Sequence, residues 1–171
     1  MNAIKNILSV ANYERKMLLR TVRFRLLGGI GVVVPVVLGI LLAIAESYGM
    51  ESESITGLGA FVPFYAYSYL QTIVIAFIVG DFRAGDERAG VYEVIAARPI
   101  STFELVAGKY LGVIGAMFTL SLGVLVLTLV IQAAKVSMTG MPLTVRPYLG
   151  YLILMNVPAL IYVSALTFFL G

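Results

Sequence analysis

YLGVIGAMFTLSLGVLVLTLVIQAA, residues 110–134, runs through 25 positions without a charged side chain. At 1.5 Å per residue such a helix measures about 37 Å, more than the roughly 30 Å of a bilayer's hydrocarbon core. The excess predicts a helix that tilts or projects beyond the bilayer. A transmembrane strand is excluded, because no polar face alternates along the run. Three further uncharged stretches, 26–45, 60–80 and 148–171, are also long enough to cross.

The composition agrees. Of 171 residues 60% are hydrophobic and 12% charged, and the mean hydropathy is +0.99, whereas soluble domains are only about half apolar and a quarter charged. A water-soluble globule is excluded. The predicted fold is all-α, a single transmembrane domain over 1–171. It is a polytopic transmembrane helical bundle of four spans with an N-terminal interfacial helix and a cytoplasmic helix. Cys, His and Trp are absent, which removes disulfides, thiolate chemistry, imidazole ligands and the usual general base.

The basic residues fix an orientation. Lys5, Arg15, Lys16, Arg20, Arg23 and Arg25 precede the first span, and Arg83, Arg88, Arg98 and Lys109 lie between the second and third. Only Lys135 and Arg146 lie in the other loops. The positive-inside rule puts the N-terminus and the 81–109 segment in the cytoplasm and the loop with Glu46, Glu51 and Glu53 outside. The expected location is the plasma (inner) membrane, multi-pass, with both termini inside. The charge asymmetry sets topology rather than binding to nucleic acid. A cleaved signal peptide ending at Ala43-Ile44-Ala45 is disfavoured by the long apolar run and the mixed charges before it.

Two elements lie outside the spans. In residues 1–25, Ile4, Ile7, Leu8, Ala11, Leu18, Leu19 and Val22 share one helical arc, while Lys5, Lys16, Arg20 and Arg23 lie off it. This predicts a helix over 1–23 in the membrane interface, with Glu14 and Arg15 intruding at its edge; a basic flank that only fixes orientation is the plainer alternative. The second element begins at Asp81. Alternating acids and bases give way to Val91, Tyr92, Val94 and Ile95, and Pro99 ends the stretch. It reads as a helix over 82–97 across the cytoplasmic face, suited to docking in a groove, or as a solvated loop on its own bundle. Ser101 or Thr102 is placed to cap the next helix, with Glu104 in its first turn.

These residues resemble the permease subunit of type 2 ATP-binding-cassette (ABC) transporters. The resemblance rests on Tyr13-Glu14-Arg15-Lys16, Arg20 and Arg23-Phe24 before the first span. It continues with Asp86-Glu87-Arg88-Ala89-Gly90, Arg98-Pro99-Ile100-Ser101 and Gly108-Lys109 between the second and third. It implies that 1–20 is an elbow helix and that 82–97 is a coupling helix docking on a separate ATPase. Asp86, Glu87 and Arg88 would orient that contact, and Val91, Tyr92, Val94 and Ile95 would fill it. It also implies a homo- or heterodimer of permease chains. Members usually have six spans, so four lead to the expectation of an N-terminal portion.

The chain itself is not expected to be an enzyme. A phosphate loop around Gly108-Lys109 would need Gly at 103 and Ser or Thr at 110, where Phe103 and Tyr110 stand. No cofactor is expected on this chain, and ATP would be bound by the partner subunit. The acids of 81–104 are interleaved with Arg, with no His or Cys to complete a catalytic set. A non-transporting scaffold or accessory subunit is the alternative function.

No ionisable acid or base falls inside the predicted spans, which disfavours proton- or ion-coupled carriers. Milder polar residues do: Gln71, Thr72, Thr119, Ser121, Thr128, Asn156 and Ser164. They read as interhelical hydrogen bonds, or, for Gln71 and Asn156, as positions facing a substrate path. Gly108, Gly112 and Ala116 form one small-residue line on the third span, and Gly115, Thr119 and Gly123 a neighbouring one, so close approach of another helix is expected at Gly108, Gly112 and Gly115. Pro35 and Pro158 should kink their helices. Tyr65, Tyr67, Tyr69, Tyr148 and Tyr151 read as an aromatic belt at the membrane boundary.

Overall fold

A computed structural model describes residues 3–47, 53–80, 101–139 and 145–170, and they are almost entirely helical, with no strand among them. Helix α1 is Ala3–Arg20 and α2 is Val22–Ser47; a bend at Thr21 separates them. Helix α3 is Glu53–Gly80 and α4 is Thr102–Thr139. Helix α5, Arg146–Tyr151, continues through a π-helical turn, Leu152–Asn156, into α6, Val157–Leu170. The segment 82–97 and its residues Asp86, Glu87, Arg88, Val91, Tyr92, Val94 and Ile95 lie outside the described residues.

Three stretches are long and apolar enough to cross a membrane: Val22–Leu42, Thr102–Ala134 and Arg146–Leu170. Helix α3 has 28 residues, and its shorter apolar stretch is Tyr65–Val79. The first span was expected over 26–45; its helix starts at Val22 and has Arg23 and Arg25 in its first turn. Helix α4 extends eight residues before Tyr110 and five beyond Ala134, past both ends of its uncharged stretch.

The start of α4 has a local cause. Ser101 Oγ accepts from the Glu104 amide at 3.2 Å, and Glu104 Oε2 accepts from the Ser101 amide at 3.2 Å. This reciprocal capping box satisfies two donors that a helix N-terminus otherwise leaves orphaned.

Packing orders the helices. One apolar cluster joins Leu18, Phe24, Val74, Ile78, Val113, Met117 and Leu160. A second joins Tyr67, Val124, Leu125, Tyr148, Tyr151 and Leu152. Passing from the first cluster to the second, residue numbers rise along α4 and fall along α3 and along α5–α6. Helix α4 is therefore antiparallel to α3 and to the C-terminal helix. The start of α4 and the ends of α3 and α6 lie at one end of the bundle, with α1 packed beside them in the largest helix–helix interface.

The outer surface is apolar: Ile30, Val33, Ile73, Phe77, Leu122, Val126, Ile153, Leu154 and Phe169 are exposed, whereas Gln71, Ser121, Thr128, Asn156 and Ser164 are buried. Such a distribution suits lipid as the solvent, because lipid meets apolar side chains at no cost while most of the polar ones find partners inside. The described residues are all-helical, and their length and apolar surface suit a membrane protein.

Candidate functional site

Between the two apolar clusters lies a layer of polar side chains. On α3, Gln71 falls between Tyr67 and Val74; on α4, Ser121 falls between Met117 and Val124; in the C-terminal helix, Asn156 falls between Leu152 and Leu160. Each stands near the middle of its uncharged stretch. Asn156 Nδ2 donates to Gln71 Oε1 at 2.8 Å, and Gln71 Nε2 donates to Ser121 Oγ at 3.4 Å. Tyr67 and Ser121 share a hydroxyl contact of 3.2 Å, and Ser121 Oγ donates to the Met117 carbonyl at 3.1 Å. Ser68 joins the layer through Tyr151, hydroxyl to hydroxyl at 2.8 Å, and lies 3.4 Å from Asn156 Nδ2. Gln71 and Asn156, distant in sequence, are thus direct partners.

The backbone helps to place Asn156. Leu152, Asn156, Leu160 and Ser164 are all buried at a spacing of four, and in an α-helix such positions drift around the axis by about 40° per step. The π-helical turn, closed by the Val157 amide on the Leu152 carbonyl, takes up part of that drift. It also lies just before Pro158, which was expected to kink the helix. Pro158 has no N–H to give and its ring crowds the carbonyl of residue 154, so the ladder widens there. Asn156 Oδ1, on a residue only 1% exposed, has no hydrogen-bond partner among the described residues, and neither has Ser164 Oγ.

Tyr67, Tyr148 and Tyr151 do not form a boundary belt. They are buried in the second apolar cluster, with Tyr67 and Tyr151 hydrogen-bonded into the polar layer. Tyr65 and Tyr69 are on the exposed face of α3, where Tyr69 donates to Tyr65 at 2.8 Å and the rings meet edge to face. Sequence reasoning missed Tyr67, Ser68 and Tyr151 as members of the layer. Their spacing around Gln71 and Asn156, three to five residues, was the available signal.

A second arrangement sits where α1 meets α4. A Cβ on Gly108 would fall 2.6 Å from the Val10 side chain and 3.1 Å from the Ile7 carbonyl oxygen. On Gly112 it would fall 2.7 Å from Glu14 Cβ and 3.0 Å from the Ala11 carbonyl oxygen. Gly115 is less tight, with Arg15 Cδ at 3.2 Å, and at Gly123 nothing lies within 4 Å. The close approach therefore follows the Gly108–Gly112–Ala116 line, and the helix that makes it is α1. The neighbouring line is not filled at Gly123.

Glu14, which breaks the apolar stripe of α1, is buried there with its carboxylate 4.0 Å from Lys109 Nζ. Further down, Asn6 Nδ2 donates to Glu104 Oε2 at 3.3 Å, the same oxygen that serves the capping box. Among the described residues no cluster of three or more His, Cys, Asp or Glu side chains is placed to hold a metal ion. Compared with protein families, with characterised proteins and with solved structures, the chain finds no match.

Proposed function

We propose that this chain is the permease subunit of a type 2 ABC transporter, coupling ATP hydrolysis on a separate ATPase subunit to movement of a substrate across the plasma membrane. In this reading α3 makes the fourth crossing, the N-terminus lies in the cytoplasm and 82–97 is the coupling helix. Two permease chains, identical or different, form the complete path.

The observation that carries the proposal is the chain of contacts from α1 to the first turns of α4. Residue 97 is only four positions from the Ser101–Glu104 box, and Glu104 is bonded to Asn6. Val10 and Glu14 then seat α1 on Gly108 and Gly112. In this reading a force applied at 82–97 would pass through Ser101 to α4 and the α1 packed on it, and α4 carries Ser121 of the polar layer. Coupling of this kind needs two arrangements whose populations the ATPase biases.

The test replaces Tyr92 and Ile95 together by Asp and measures nucleotide-dependent ATPase activity that purifies with the chain. The proposal expects that activity to fall while membrane insertion is unchanged. Full retention of ATPase association and nucleotide-driven transport in the double variant would set the proposal aside in favour of a scaffold role or another docking surface.

A further inference from the structure

We propose that the polar layer is a binding site, reached from the bilayer past Ser68, for a neutral amphiphile that donates a hydrogen bond from a hydroxyl. The transport reading bears on what moves this ligand, but its binding stands independently.

Three observations select the ligand. Asn156 Oδ1 is a buried acceptor with no hydrogen-bond partner among the described residues, and a buried amide oxygen without a donor is costly. A hydroxyl supplied by a ligand would satisfy it. The layer holds no acid or base, since the nearest charged positions on these helices, such as Lys109 and Arg146, stand toward the helix ends. A charged ligand would be desolvated there without a counter-ion, which selects a neutral one.

The third observation gives the route. Tyr65, Tyr69 and Thr72 lie on the outer face of α3, with Tyr65 51% and Tyr69 57% exposed, at the depth of Gln71 and just above it. Half-buried Ser68 sits between that face and the layer, touching both Tyr151 and Asn156. Phenol and hydroxyl groups on the outside of an apolar helix are poorly solvated by hydrocarbon. They lead from the outer surface through Ser68 to the Asn156 amide, which they meet at Nδ2, flanked by rings that suit an alkyl chain. The π-helical turn at Asn156 places a widened backbone at the inner end of this route, a feature frequent at functional sites.

The experiment uses the full chain in nanodiscs of phosphatidylcholine, which has no hydroxyl or N–H donor of its own. Hexadecanol carrying a diazirine is photolysed, and adducts are mapped by mass spectrometry. The proposal expects saturable adducts on 65–72 and 151–156, prevented by plain hexadecanol but not by its methyl ether or by palmitate. Asn156→Leu should reduce the competable labelling about tenfold, the factor of one lost hydrogen bond near the top of the ordinary range, and Gln71→Met should also reduce it, because Asn156 loses the partner that holds its amide in place. If Asn156→Leu does not insert, Gln71→Met carries the test alone. Uncompeted labelling spread equally over Ile30, Val33, Leu122 and Val126 would overturn the proposal. Equal competition by the ether or by palmitate would also overturn it, as would labelling unchanged in the variants. No ATPase is present, so this result is separate from the fate of the coupling reading.

Discussion

Asn156 and Gln71 share a 2.8 Å hydrogen bond at the centre of the bundle, between two apolar clusters. Lipid offers no hydrogen bonds, so each amide depends on the other helix for its partner. The bond ties α3 to the C-terminal helix at the level where Ser121 of α4 also joins. Three of the helices are thereby held in register by polar atoms, while the apolar clusters above and below supply most of the contact area.

A double-mutant cycle with Gln71→Met and Asn156→Leu should give a coupling energy of about 0.6–1.7 kcal/mol, the span found for hydrogen bonds between membrane helices. Reversible unfolding in mixed micelles measures it. Strict additivity of the two single changes would show that the amides do not act as a pair.

Ser164 makes the opposite case. Its hydroxyl is buried with no hydrogen-bond partner among the described residues, so Ser164→Ala removes an unpaired polar group at little cost in packing. The variant should be neutral or more stable by up to about 1 kcal/mol. Ser121→Ala, which deprives Tyr67 and Gln71 of a partner, should be less stable. The same unfolding assay ranks the two, and destabilisation by Ser164→Ala equal to that of Ser121→Ala would contradict the assignment.

The long uncharged runs made α2, α4 and the C-terminal helix legible before any coordinates, because apolar length alone decides them. A cap at Ser101 or Thr102 with Glu104 in the first turn was legible too, since the signal is local; the choice of Ser101 and the return bond from Glu104 were not. Which face of a helix meets which neighbour is a different kind of information. Glu14 read as a flaw in the stripe of α1 until α4 brought Lys109 beside it. Tyr67 and Tyr151 had the residue type and position of boundary aromatics, and only packing distinguishes those from core tyrosines with a bonded hydroxyl. Pro158 announced a disturbance without its form. The π-helical turn depends on a ladder that widens ahead of the proline and on Asn156 finding Gln71 across the bundle.

The glycines of α4 should rank by what their side chains meet. Gly108→Leu and Gly112→Leu press on Val10, Glu14 and the backbone of α1, which cannot retreat, and should detach α1 from α4. Gly115→Leu meets only the flexible stem of Arg15 and should be milder, and Gly123→Leu should be silent. A cysteine pair placed at Ala11 and Gly112 for crosslinking would be too disruptive, so protease access to α1 in nanodiscs is the readout. Equal protection in all four variants would remove the close-packing argument.

Glu14 and Lys109 are both more than nine-tenths buried and 4.0 Å apart. Removing one charge takes a counter-ion from the other in a poor solvent, which costs stability. Glu14→Gln or Lys109→Met alone should therefore lower thermal stability. The exchange Glu14→Lys with Lys109→Glu should recover part of the loss, because the pairing returns with its polarity reversed. No recovery in the exchanged protein would mean that shape at these positions, and not charge, sets the stability of the α1–α4 contact.

The final prediction concerns orientation. The end of α3, the starts of α2 and α4 and the end of α6 share one end of the bundle, by the order in which they enter the two apolar clusters. Ten of the twelve Lys and Arg residues belong to segments at that end, leaving Lys135 and Arg146 for the other. Since basic loops stay in the cytoplasm, that end should face inward and 48–52 should face outward. The chain has no cysteine, so single cysteines can be introduced without a background. Ser52→Cys should react with a membrane-impermeant thiol reagent on intact cells. Ala89→Cys should react only after the cells are opened. Labelling of Ala89→Cys on intact cells would invert the orientation and place 82–97 out of reach of any cytoplasmic ATPase, so this one measurement bears on the coupling proposal as directly as on the topology.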